Sequence, residues 1–277
     1  MDVVDAMSTI RSIDFAGPAI ADAVADAANE VRENGAVLLR GIVPMPLVAR
    51  LYDELARATE EDAARFGPSH PFPGMVHALM TRGDSFLDLL GVDAIRAVCR
   101  AILGHGAVIH AYNSSSLPPL QSNYAGRIHV DSPRHIPGYI TNLGIAFPLD
   151  EFTRENGAME IWPSSFHLTA TPSVEKFDAN KVVLAGLGPG DAVLSNARCF
   201  HQSGVNTTNK WRRAVTMNIC RAYMRQQFDY PRMLAPEVVE RLSEDVRQFL
   251  GFHVRMPASM EEFLAPPDQR PYRAGQE

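Results

Sequence analysis

A chain of 277 residues with 46% hydrophobic and 21% charged side chains can bury a sizeable core and does not have the composition of a disordered polymer. Its net charge of −6 offers no basic footprint for nucleic acid or an anionic membrane, so a small-molecule substrate is the expected partner. Cys99, Cys199 and Cys220 form no C-x-x-C pair, the start around Asp2 and Asp5 is acidic, and no apolar run nears the roughly 20 residues of a membrane span. The expectation is a reducing, cytoplasmic setting.

In chain order, Ile20, Val24, Ala27, Ala28 and Val31 fall at helical spacing, and Val48, Leu51, Leu55 and Ala58 repeat it, predicting packing helices within residues 16–64. Residues 66–86 carry Pro68, Pro71 and Pro73 between glycines, show little period, and read as a long loop and candidate lid. Within it, Met75, Leu79 and Met80 suit either an apolar pocket or ordinary core. The segments 36–43, 108–112, 127–131, 139–149, 158–162, 181–184, 192–200 and 212–223 are short, apolar or alternating runs between Gly, Pro, Asn and Ser turns, and read as strands. The glycines of 186–190 mimic a phosphate loop, but no helix follows, which favours a tight turn. A helix over 236–250 and a proline-rich tail complete the region 231–277. The predicted fold is mainly β with flanking α-helices, a jelly-roll, cupin-like double-stranded β-helix, in a single domain spanning 1–277 with its β core at 107–224.

One constellation stands out. On a strand, alternation puts His129 and Asp131 on the same side, and His201 ends a later run. Two imidazoles and one carboxylate form the facial triad that holds non-heme iron with open positions. With nine histidines and thirty-two acidic residues a chance H-x-D is not improbable, and the bland alternative is a polar surface strand. The same alternation aligns His201 with Ser203. His135 and His167 read as structural imidazoles.

The context of these residues raises the reading. Asn34-Gly35 leads into Ala36-Val37-Leu38-Leu39-Arg40-Gly41, Asn156-Gly157 precedes Pro163-Ser164-Ser165-Phe166-His167, Gly190-Asp191 follows, and then come His201-x-Ser203-Gly204-x-Asn206 and Arg212. Taken in order, the set resembles the phytanoyl-CoA dioxygenase family of Fe(II)- and 2-oxoglutarate-dependent oxygenases. The resemblance implies that His129, Asp131 and His201 bind Fe(II), and that Arg212 anchors the far carboxylate of 2-oxoglutarate with help from Ser203. It also implies hydroxylation of a small soluble metabolite by O2, with release of succinate and CO2. Related halogenases lack the carboxylate that Asp131 supplies, so hydroxylation is expected rather than chlorination.

Arg213 is the rival of Arg212, because a slip of one residue exchanges faces; the family spacing favours Arg212 and makes Arg213 the exposed neighbour. Arg127, two before His129, should face the pocket and meet an anion: the 1-carboxylate of 2-oxoglutarate, a substrate acid or a nearby Asp. Arg82 in the candidate lid is another cation for a polar or anionic substrate. Two departures from the family concern the pocket: Ser164-Ser165-Phe166-His167 replaces a glycine-serine-histidine run, and Ala146 stands where an aromatic is common. A zinc hydrolase using the same three ligands, or a non-catalytic binding protein, is the competing class.

Overall fold

The computed structural model describes residues 10–17, 19–67, 72–273 and 275. After a short strand β1 (Ser12–Asp14), α1 (Ile20–Asn34) buries the stripe Ala23, Ala27, Ala28 and Val31. It stops at Gly35, whose φ of 88° suits glycine and whose N–H caps the Val31 carbonyl. A side chain there would also collide with Pro163 O, at 2.3 Å from an added Cβ. β2 (Ala36–Arg40) follows at once, then α2 (Met45–Phe66), which buries Leu47, Val48, Leu51, Leu55 and Ala58. α3 (Asp84–Leu90) and α4 (Asp93–Leu103) come next. The remaining strands are β3 (Val108–Ser114), β4 (Asn142–Pro148), β5 (Met159–Trp162), β6 (Val182–Val183), β7 (Ala192–Asn196), β8 (Phe200–Ser203) and β9 (Ala214–Cys220).

Six strands form one sheet in the order β1-β2-β7-β4-β9-β3, antiparallel except for β1 against β2, and β6-β5-β8 form a second. The period of two sorts the large sheet's side chains. Val37, Leu39, Ile145, Leu194, Val215 and Ile219 pack against α1–α4, while Ala36, Leu38, Val193 and Ala214 meet Ile161, Val182 and Val183 of the small sheet. The site lies in the space between the sheets.

The mainly β expectation is corrected: the described structure is 37% helical and 20% strand, a mixed sheet with flanking helices. Part of the excess is α3 and α4. Buried Ile95, Val98, Cys99, Ile102 and Leu103 carry helical spacing that the strand count passed over. The candidate lid is corrected in part, since Val76, Leu79, Met80 and Phe86 are core residues; its residues 68–71 lie outside the described ones. Residues 127–131 form no strand, only a bridge between His129 and His201. The expected strand 192–200 is two, β7 and β8, in different sheets, because the chain turns at 197–199. The helix at 236–250 is likewise two short ones, Pro236–Glu240 and Glu244–Phe249.

Candidate active site

His201 stands on β8 and exchanges both backbone hydrogen bonds with His129, each at 3.0 Å. That bridge sets the two imidazoles side by side, with ring centroids 4.3 Å apart. Asp131 is placed by the backbone as well: its N–H and that of Ser132 both donate to the Ala197 carbonyl at 3.0 Å. Each imidazole directs Nδ1 at a carbonyl, His129 toward Arg127 O at 2.8 Å and His201 toward Cys199 O at 3.1 Å. A proton held there leaves Nε2 as the free lone pair. Both Nε2 atoms then lie 3.8 Å from Asp131 Oδ1, and one ligand atom from each residue falls within 4.8 Å of the others. That spacing suits three donors around one ion with bonds of about 2.0–2.2 Å. Burial lowers the His129 pKa, and the neighbouring His201 pushes the same way against the pull of Asp131. The neutral, ligating form is favoured. Gly144 makes room for the carboxylate, since an added Cβ would come 3.3 Å from Asp131 Oδ2.

The triad opens on a cavity of about 290 Å3 that also reaches Arg212. Arg212 is 2% exposed and directs Nη1 at Ser115 O (3.0 Å) and Nη2 at Ser203 Oγ (3.3 Å), with its guanidinium carbon 4.8 Å above the Phe152 ring. Its Nε has no partner, and among the described residues no carboxylate forms an ion pair with it. Burial pulls its pKa down to about 10, opposed by the more distant charge of Asp150. A buried cation in this state calls for an anion, and the cavity is where one can enter. The walls between it and the triad are small: Gly144, Ala146, Ser195 and Ala214. Ala146, where the resemblance leads us to expect an aromatic, is one of these small residues.

Residues 31–214 match the family model for phytanoyl-CoA dioxygenase (PhyH). The chain belongs to that family. Among its relatives, an uncharacterised protein of Mycobacterium tuberculosis is 28% identical over 264 residues, covering 92% of this chain and 95% of that one. The dioxygenase cdmD of Talaromyces verruculosus is 24% identical, covering 90% and 89%. Among solved structures, AviO1 from Streptomyces viridochromogenes superposes with a TM-score of 0.57 at 23% identity, covering 71% of this chain and 94% of its own. The epimerase SnoN, solved with Fe3+, alpha-ketoglutarate and nogalamycin RO, gives 0.58 at 19%, covering 73% and 85%. These structures show the fold. Family membership together with the dioxygenase relatives makes the chain an oxygenase of the general iron and 2-oxoglutarate type.

Within this phytanoyl-CoA dioxygenase fold, Arg127, Arg82, His135, His167 and Arg213 fall away from the cavity. Arg127 is exposed, 5.9 Å over the Tyr124 ring, and is not among the lining residues, because the segment 127–131 lacks the strand alternation that would have turned it inward. Arg82 is held by Asp62 and Glu61. His135 and His167 line no part of the cavity. Arg213 is not an exposed neighbour but half-buried on the other face of the sheet, donating to Tyr52 Oη at 3.0 Å with its guanidinium 4.7 Å over that ring. Of the methionines, Met75 lines the cavity and Met80 belongs to the core. Sequence reasoning missed Asn113, Asn218, Gln227 and Tyr124, which also line it. Alternation along β9 was the signal for Asn218, an even-numbered neighbour of Arg212; nothing local marked the others.

Proposed function

We propose that this chain is a mononuclear Fe(II)- and 2-oxoglutarate-dependent dioxygenase that hydroxylates a small soluble metabolite and releases succinate and CO2. The observation that carries the reading is the fully buried Arg212, lacking a carboxylate among the described residues and sharing one cavity with the His129–Asp131–His201 cluster. A zinc hydrolase would leave that cation without a purpose. The two facing sheets are read as a double-stranded β-helix, the chain as one domain, and its setting as a reducing cytoplasm, in keeping with three buried, unpaired cysteines. No helix among the described residues is long and apolar enough to cross a membrane.

When bound, iron and 2-oxoglutarate supply the activation of dioxygen and the oxidation of a C–H bond. The protein supplies position. His129, Asp131 and His201 would hold the iron from one side and leave its remaining positions toward the cavity. Arg212 and Ser203 would bind the distal carboxylate, with Phe152 shielding the guanidinium from water and strengthening the contact. Asp131 fills the place a halide would need, which favours hydroxylation. The test is anaerobic addition of Fe(II) and 2-oxoglutarate, followed by a charge-transfer absorption, then oxygen and measurement of succinate. Succinate that depends on both iron and Arg212 is expected. Hydrolytic turnover restored by zinc without 2-oxoglutarate would overturn the proposal.

A further inference from the structure

Past the triad, the cavity walls change character. The inward positions of β9 run Ala214, Thr216 and Asn218 after Arg212, so Asn218 stands about 20 Å along the strand from the guanidinium-bearing residue at ~3.3 Å per residue. It pairs with Gly144, the residue that makes room for Asp131. Asn218 Oδ1 accepts from Asn142 Nδ2 at 2.9 Å, which leaves the Asn218 amide hydrogens for the cavity. Gln227 is arranged the same way: its Oε1 accepts from Asn113 Nδ2 at 3.4 Å, and its Nε2 remains. Both amides thus present donors.

Inside the cavity this end has no fixed charge; Arg127 stands outside the lining, 5.9 Å over the Tyr124 ring. Apart from the triad and Arg212, the lining contains no arginine, lysine or carboxylate among the described residues. An anionic group entering here would be desolvated without a partner. At its edge Tyr124 lines the cavity and leads a chain of rings outside the lining: Tyr124 packs edge-on to Phe72 at 5.6 Å, His77 lies 6.1 Å from Phe72, and Phe228 lies 6.5 Å from His77. Tyr124, Phe72 and Phe228 keep 39%, 39% and 36% exposure. The cavity, about 290 Å3, is at the small end of ligand sites, which span roughly 300–1,000 Å3, and it must also hold the co-substrate.

We infer that this end selects a neutral, oxygen-bearing ring, whose hydroxyl, ether or carbonyl oxygens accept from Asn218 and Gln227 and whose apolar face rests on the Tyr124–Phe72 rim. The inference rests on the oxygenase reading and narrows the expected polar or anionic substrate to an uncharged one. Rings suit the rim because half-exposed aromatics offer flat apolar surface, and acceptors suit amides whose own oxygens are already engaged.

Binding tests it without turnover, using protein loaded with Mn(II) and 2-oxoglutarate. Calorimetry would compare methyl glycosides and alicyclic hydroxyketones, the two neutral oxygen-rich sources, with uronic acids, alicyclic carboxylic acids and butyryl-CoA. One neutral series should bind at least about tenfold tighter than its carboxylate counterpart, and Gln227→Lys should shrink that ratio by about tenfold. A preference for glycosides identifies a sugar, and one for hydroxyketones a carbocycle. Asn218→Leu should weaken the neutral ligand; because Asn218 is buried, the exposed Gln227 carries the decisive comparison if that variant misfolds. The inference is overturned if carboxylates or the thioester bind as tightly as the neutral series, if neither neutral series binds, or if Gln227→Lys leaves the ratio unmoved. Succinate formation by the Fe(II) enzyme is scored separately. Its absence beside neutral-selective binding sinks the oxygenase reading and not the ligand class.

Discussion

Arg212 and His129 face one cavity, yet the chain holds them by different means. Arg212 sits two residues before β9, a strand paired on both sides within the six-stranded sheet, and its isolated bridge to Leu117 continues that pairing. His129 and Asp131 lie on irregular chain, held by the bridge to His201 and by two N–H groups sharing the Ala197 carbonyl. The buried Arg198 reinforces this half: its guanidinium donates to the carbonyls of Ser132, Pro133 and Leu168. The contrast teaches that the proposed carboxylate-anchoring end is preformed by the sheet, whereas the proposed metal end depends on a few local bonds and should open first.

The strongest way to break this comparison is at the ligands. His129→Ala, Asp131→Ala or His201→Ala should reduce metal affinity by more than about a hundredfold, beyond the loss expected for an outer partner, and abolish turnover while the far-ultraviolet spectrum stays native. Retained metal stoichiometry in any of the three would dismantle the proposed centre. Arg198→Gln probes the local bonds. Metal affinity measured by Co(II) titration should fall on the order of tenfold, with 2-oxoglutarate binding to the metal-loaded protein little changed, and equal losses at both ends would erase the distinction.

At the sheet-held end, Arg212→Ala should weaken 2-oxoglutarate binding at least about tenfold. Arg213→Ala should instead cost about 1 kcal/mol of stability through its lost contact with Tyr52, and a reversed result would move the anchoring residue to the other face. Ser203→Ala should have a smaller effect, on the order of a few-fold in the dissociation constant of 2-oxoglutarate, because a hydroxyl contributes only part of the anchor.

The gentlest probe is pH. Burial and His201 hold the His129 pKa below the usual 6.5, so the unfolded chain takes up the proton first. Stability of the metal-free protein should therefore fall as pH drops below about 6.5. His129→Gln should flatten that dependence in thermal melts recorded from neutral to mildly acidic buffer. An unchanged slope would assign the acid sensitivity elsewhere.

Much of this was legible in residue order alone. The spacing of α1 and α2, the run of β2 and the choice of His129, Asp131, His201, Ser203 and Arg212, which the structure gathers about one cavity, depend on local period and motif order, which a linear chain displays. What alternation predicted for His129 and Asp131 was their convergence, and they do converge, though through shared bonds to residues 197 and 201 rather than a strand. The same missing strand is why Arg127 points outward. Tertiary structure alone decided that β7 and β8 belong to different sheets, that Arg82 is consumed by Asp62 and Glu61, and that Asn113, Asn218 and Gln227 share one wall. Those outcomes depend on which distant segments meet, and on whether a polar group finds its partner nearby or is left facing a cavity.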